Sequence, residues 1–146
     1  MANAPGKLII EALAAALRTI TVANDYNTDL GLNVRTERTE GGIPSTPRCT
    51  VAVVSKVKVE RGQQRPAKGR ALRGVIEIEV PTSYADATAR VLDADEDIDR
   101  LITDVYTQMP DALPVQFEET IFLDRPEGMP VVAAEIHWTT AYQRNG

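Results

Sequence analysis

Apolar residues Leu8, Ile9, Ala12, Leu13, Ala16, Leu17 and Ile20 recur at spacings of three and four. On a helix those positions share one face, so the pattern predicts an amphipathic helix from about Gly6 to Ile20, with Pro5 in its first turn, where a missing N–H is harmless. The segment Asn24-Asp25-Tyr26-Asn27-Thr28-Asp29 and Gly31 is made of residues that tolerate bent and left-handed backbone, and it ends that helix. From Leu32 to Glu37 the period changes to two, with Leu32, Val34 and Thr36 opposed to Asn33, Arg35 and Glu37. A strand with one wet face is expected there. Gly41, Gly42, Pro44 and Pro47 punctuate a turn before Cys49 to Val59, a run dense in β-branched residues. Arg73 to Val80 then sets Ile76, Ile78 and Val80 against Glu77 and Glu79. The two runs predict the strands of an extended hairpin.

Ser83, with Asp86 three residues on, approximates a capping box. Beyond it Ala85, Ala89, Leu92, Ile98, Leu101, Ile102 and Val105 hold helical spacing. They predict one long helix, or two collinear ones divided at Asp93 to Asp97, ending near Met109-Pro110. Phe117, Ile121 and Leu123 mark a fourth strand region, residues 124–128 a turn, and Val131 to Tyr142 a last strand with Val132, Ala134, Ile136, Trp138, Thr140 and Tyr142 on one face. The order α-β-β-β-α-β-β implies an α+β fold, a mostly antiparallel sheet of four to five strands packed against two helices.

Composition narrows the class. At 146 residues one domain spanning 1–146 is expected, able to bury roughly 70% of its unfolded surface without metal or disulfide staples. The 43% hydrophobic and 25% charged fractions are those of a globular chain. Apolar runs are only a few residues long, against the about 20 that span a membrane, so no membrane partner is expected. The start of the chain carries no secretory pattern, which predicts that it stays where it is made, with its thiol reduced. With only two Phe and one Trp, the core must be aliphatic.

Candidate chemistry is sparse. The single cysteine, Cys49, and single histidine, His137, exclude a disulfide framework and a zinc site of the usual Cys/His kind. Both fall in strand patterns, His137 opposite the Trp138 face, and neither has a catalytic companion in sequence; a buried small side chain and a sheet-face histidine are expected. There is no glycine-rich phosphate loop, and no cofactor is expected. Asp93, Asp95, Glu96, Asp97 and Asp99 resemble a calcium loop, yet counting from Asp93 the sixth and twelfth positions are Ile98 and Asp104 where an EF-hand needs Gly and Glu. The cluster is expected to be a solvated helix face or a subunit contact.

Arg61, Arg65, Lys68, Arg70 and Arg73 stand in a stretch without an acid, within a chain of net charge −5. Two alternatives fit: a solvated hairpin tip at residues 60–73, or a flexible docking arm that orders against an acidic surface. No aromatic is interleaved, which disfavours stacking on single-stranded bases. The overall acidity argues against a free-standing nucleic-acid binder.

The element order, together with Tyr26-Asn27-Thr28-Asp29, Ile43-Pro44 ahead of a valine strand, Arg73-Gly74-Val75-Ile76-Glu77-Ile78-Glu79-Val80, Asp97-Ile98 and the closing Trp138-Thr139-Thr140-Ala141-Tyr142, resembles the tail terminator proteins of long-tailed bacteriophages over nearly the whole chain. The resemblance implies a non-enzymatic virion protein at the head-proximal end of the tail, present in the host cytoplasm during assembly. Its partners would be further copies of itself in a hexameric ring, the major tail tube protein and a head-completion or connector protein. DNA would pass through without specific binding, which an acidic balance suits. A ring interface is heterologous, so opposite edges of one subunit must be complementary. A head-tail connector (neck) protein and a small-ligand-binding α+β domain are the alternatives.

Overall fold

A computed structural model of the chain describes residues 4–37, 42–59, 69–105, 115–124 and 128–143. Helix α1 spans Pro5–Leu17 with Pro5 in its first turn. It stops three residues short of Ile20 because Thr19 turns its hydroxyl back to donate to the Ala16 carbonyl at 2.6 Å and Asn24 Nδ2 donates to the Thr19 carbonyl at 2.9 Å, satisfying helix-end acceptors from side chains. Ile20 nonetheless remains fully buried.

The expected strand at Leu32 to Glu37 shrinks to β1, Val34–Arg35. Residues Leu30–Leu32 coil into a short 3-10 turn instead, which leaves Leu32 76% exposed. Apolar alternation in so short a window does not separate a turn from a strand. Strand β2 runs Arg48–Lys58 and β3 Gly69–Pro81, so the second strand of the hairpin begins four residues before Arg73. Helix α2, Ala87–Arg100, is unbroken and continues as a π-helical turn, Leu101–Val105; the expected end near Met109 lies outside the described residues. Ser83 does not cap α2. The N-cap is Asp86, whose carboxylate accepts from Arg90 Nε at 2.8 Å, and that bond holds it below the ordinary carboxylate range. Strands β4, Gln116–Phe122, and β5, Val131–Gln143, complete the chain.

The five strands form one sheet in the order β1-β2-β3-β5-β4. β1 pairs parallel with β2, and every other pairing is antiparallel. The fold is therefore α+β, as the element order predicts. Leu72, Ile76, Ile78 and Val80 of β3 and Ala134, Ile136 and Trp138 of β5 share one face with Cys49 and Val51 of β2, and on that face they join Ile9, Leu13 and Leu17 of α1 and Val91, Ala94 and Ile98 of α2 in a single buried cluster. Period-two alternation in β5 meets the apolar stripes of both helices, which is how one-sided amphipathic elements make a core.

Gly74, in the middle of β3, lies directly across from Trp138 of β5. A Cβ at position 74 would collide with the Ala52 carbonyl oxygen and with the indole Cζ2 of Trp138. Glycine in a strand interior is justified here by the close approach of an aromatic ring. Gly74→Ala is expected to lower stability by about 1–3 kcal/mol, the usual cost of overfilling a packed core, read as a fall in the urea midpoint with the slope unchanged.

Candidate functional site

The densest polar constellation joins α2 to the chain that follows α1. Asp97 sits on the buried face of α2, 1% exposed. Its Oδ1 accepts the Asn27 N–H at 2.9 Å and its Oδ2 accepts the Thr28 N–H and the Thr28 hydroxyl, both at 2.8 Å. One turn later, Arg100 Nη1 donates to the Asp25 carbonyl at 2.7 Å and its guanidinium lies 4.6 Å over the Tyr26 ring, a cation–π contact. Asp25 itself takes a left-handed conformation, φ 69°, and Asp29 Oδ1 accepts the Val22 N–H at 2.8 Å. The turn of residues 24–31 is thus held by side-chain acceptors standing in for the backbone partners it lacks. Gly31 closes it: its N–H donates to the Ile20 carbonyl at 2.8 Å, and an added Cβ would lie 2.7 Å from the Arg18 and Ile20 carbonyl oxygens.

This arrangement divides the acidic cluster. Asp97 is withdrawn from the surface and cannot meet a partner, a correction to its place among solvated carboxylates. Asp95 accepts from the Thr120 hydroxyl at 2.6 Å and so ties α2 to β4. Asp99 accepts from Thr103 at 2.9 Å. Asp93 and Glu96 are exposed. Asp93 borders a cleft of about 600 Å³ between the turn and α2, whose lining includes Asn27, Asp29, Tyr84 and Arg90. The buried position of Asp97 was readable in principle. It lies three residues after Ala94 and four before Leu101, within the apolar stripe, and an acid there requires donors. What the sequence does not give is the partner, seventy residues away in Asn27 and Thr28.

The basic set is divided as well. Arg61, Arg65 and Lys68 lie outside the described residues. Arg70 and Arg73 belong to β3, not to a loop reaching residue 73: Arg70 is half-buried and bonds the Gly69 carbonyl at 2.9 Å, while Arg73 is exposed, paired across the sheet with Ser55 and Thr139.

The face of the sheet away from the helices carries its own charge ladder. Arg48 reaches Glu79 Oε1 from Nη2 at 2.8 Å and from Nε at 3.1 Å, Arg35 Nη2 lies 3.8 Å from the same oxygen, and Arg35 Nε donates to Thr50 at 2.7 Å. These contacts anchor β1. His137 is on this face, with Nε2 3.8 Å from Glu135 Oε1. Cys49 is fully buried, and burial pushes its thiol up to about 12, so it offers no thiolate for chemistry. Among the described residues no group of three or more His, Cys, Asp or Glu is placed to hold a metal ion, and no helix is long and apolar enough to cross a membrane.

The architecture as a whole is an open, five-stranded α+β sheet with helices on one face. It is similar over 97% of this chain and 99% of the other, at a TM-score of 0.65 and 14% identity, to a chain from the virion of a native gene transfer agent particle. A second solved structure matches over 94% of this chain and 96% of its own, at a TM-score of 0.51 and 13% identity. At these identities the likeness is one of fold. No protein-family profile matches the chain, and no curated protein matches it in sequence.

Two outcomes test this account. Asp97→Ala removes the shared acceptor of three part-buried hydrogen bonds and is expected to cost about 2–4 kcal/mol, less than three fully buried unsatisfied donors at about 1–3 kcal/mol each because water can reach some of them, whereas Asp93→Asn on the exposed face should change stability by less than about 0.5 kcal/mol; urea unfolding of both variants measures the contrast. For Cys49 the folded thiol titrates above its ordinary value of 9.0, so the stability it confers is whole below about pH 9 and is lost as pH rises towards 12. Iodoacetamide at pH 8 should leave Cys49 unmodified until denaturant is added.

Proposed function

We propose that this chain is a structural protein of a phage or phage-like virion, and specifically a tail terminator: a subunit that assembles as a ring, hexameric in the family it resembles, on the head-proximal end of the tail tube. There it would halt tube polymerisation and present the surface to which the head is joined. The observation that carries the reading is the end-to-end correspondence of fold, 97% against 99%, with a chain of a gene transfer agent virion. The likeness runs over nearly the full length of both chains. That likeness supports a virion structural protein, and the finer reading rests on the resemblance to tail terminators of the sequence motifs described above. Two of them, Tyr26-Asn27-Thr28-Asp29 and Asp97-Ile98, meet in space through the Asp97 carboxylate, which ties them to one structural role.

The role asks little of catalytic chemistry and much of surfaces. Docking to the tube is assigned to the basic residues Arg61, Arg65 and Lys68 between β2 and β3, with Arg70 and Arg73 flanking them on β3; a basic arm fits an acidic partner through charge-assisted hydrogen bonds. If these charges serve docking and not folding, a variant with Arg61, Arg65 and Lys68 all replaced by serine melts as the parent does. It should cap isolated tail tubes at least tenfold less efficiently, counted by electron microscopy. Equal capping by the variant removes the docking role. Failure of the parent itself to bind tube ends, or its binding to head vertices instead, overturns the terminator reading, the second outcome in favour of a neck protein.

A further inference from the structure

Among the described residues the sheet ends in two unpaired edges with complementary residue orders. At one edge stands β4. Its first half carries the exposed Glu118 and Glu119, and its end and the residue after it carry Ile121, Phe122 and Leu123, 39%, 51% and 40% exposed. At the other edge β1 pairs with β2 only at Cys49 and Thr50. Among the described residues no strand pairs with the outer side of β2 from Val53 to Lys58. That segment begins with Val53 and Val54, 54% and 64% exposed, and ends with the exposed Lys56 and Lys58.

We propose that β4 of one subunit pairs antiparallel with residues 53–58 of β2 in a second copy of this chain, so that successive copies join head to tail into one continuous sheet. The proposal deepens the reading of the chain as a ring subunit and rests on it. Polarity supports it first. β2, β3, β5 and β4 alternate in direction across the sheet, so a copy added beside β4 in the same orientation presents its β2 antiparallel. Residue order supports it second and separately. In the antiparallel sense the glutamate half of β4 lies level with Lys56 and Lys58 and its end with Val53 and Val54; Lys56, Lys58, Val53 and Phe122 stand on the helix side of the sheet and Glu119 and Ile121 on the other, so Phe122 meets Val53 and Glu118 is the carboxylate nearest the lysines, whereas a parallel pairing would set carboxylates on valines. Opposite charges across a strand pair stabilise and like charges destabilise. Antiparallel pairing of β4 with β4 over the same segment would set glutamates on Ile121 and Phe122, and of β2 with β2 lysines on Val53 and Val54, so both isologous contacts bury charge on aliphatic side chains where the heterologous one does not.

The stagger is also of the size found in closed sheets. In the register of the sheet, Glu119–Phe122 lie on one side of the Gly74–Trp138 row and Ser55–Lys58 on the other. Bringing the segments together displaces each copy along the strands by about four residues, about 14 Å. Spread over the four long strands of a copy, that is about one residue per strand, the shear of a closed sheet whose strands tilt by about 36°.

The test is charge exchange. One variant carries Lys56→Glu and Lys58→Glu, the other Glu118→Lys and Glu119→Lys; all four positions are exposed, so both should fold with unchanged melting temperatures. Sedimentation velocity at low salt should show the parent as an oligomer, each variant alone with self-association weakened at least tenfold, and the equimolar mixture restored, because every interface between unlike variants again opposes Glu to Lys. Variants that assemble as the parent does, a mixture that stays dissociated, or a parent that is monomeric at every concentration would overturn the edge pairing. Variants that form normal rings and cap tubes would sink this inference and leave the terminator reading intact. A parent whose oligomers follow the exchange pattern but ignore tail tubes would do the reverse.

Discussion

The close approach of Trp138 to Gly74 sets the geometry of the whole sheet. β3 is hydrogen-bonded on both sides, to β5 along its full length and to β2 from Arg70 to Glu79, so a large ring at its centre has to lie over a neighbour that has no side chain. Gly74 is that neighbour. The same row across the sheet contains both irregularities of the long strands: β2 slips between Val53 and Ser55, and β4 slips between Phe117, the partner of Trp138, and Glu119. A bulge inserts a residue, strengthens local twist and redirects the side chains beyond it. The indole and its glycine therefore coincide with the point at which each outer strand changes phase, and the facing of every residue on both edges is counted from that row.

Charge is distributed with similar economy. An acidic chain with a carboxylate-rich helix suggests a surface made for an electropositive partner, yet much of that helix's charge is engaged within the subunit. Asp97 holds the turn of residues 24–31 against α2, Asp95 holds β4 through Thr120, and Asp86 pairs with Arg90. On the opposite face, Glu79 gathers Arg48 and Arg35, and in doing so anchors a two-residue strand that could not persist alone. The charges left at the edges are then few and of one sign on each strand.

What could be read from the sequence follows from the range of the interactions involved. The order of elements, the face of β5 and the apolar stripe of α1 depend on side-chain periodicity, a local property, and they agree with the structure. The end of α1 depends on whether Thr19 and Asn24 compete for backbone acceptors, and periodicity is blind to that. The short β1 and its parallel pairing depend on Arg35 meeting Glu79 and Thr50, contacts between distant residues that alternation does not encode. The clearest case is Asp97. Its helical position marked it as inward-facing, but grouping it with its acidic neighbours by composition hid the one property that distinguished it.

Open sheet edges are a hazard for a protein that must remain soluble until its partner arrives, because unpaired backbone groups accept any extended chain. Lysines, acids and bulges on edge strands are the usual defence, and both outer strands here carry a bulge and same-sign charges. A purely defensive edge, however, gains nothing from exposed aliphatic residues beside those charges. Val53 and Val54 next to lysines, and Ile121 and Phe122 next to glutamates, combine a contact that favours burial with a charge that selects which strand may provide it. Because the two combinations lie on opposite edges and in opposite chain order, selectivity and polarity come from the same few residues. On the proposed head-to-tail pairing, these edge residues alone would supply the recognition, without a separate domain.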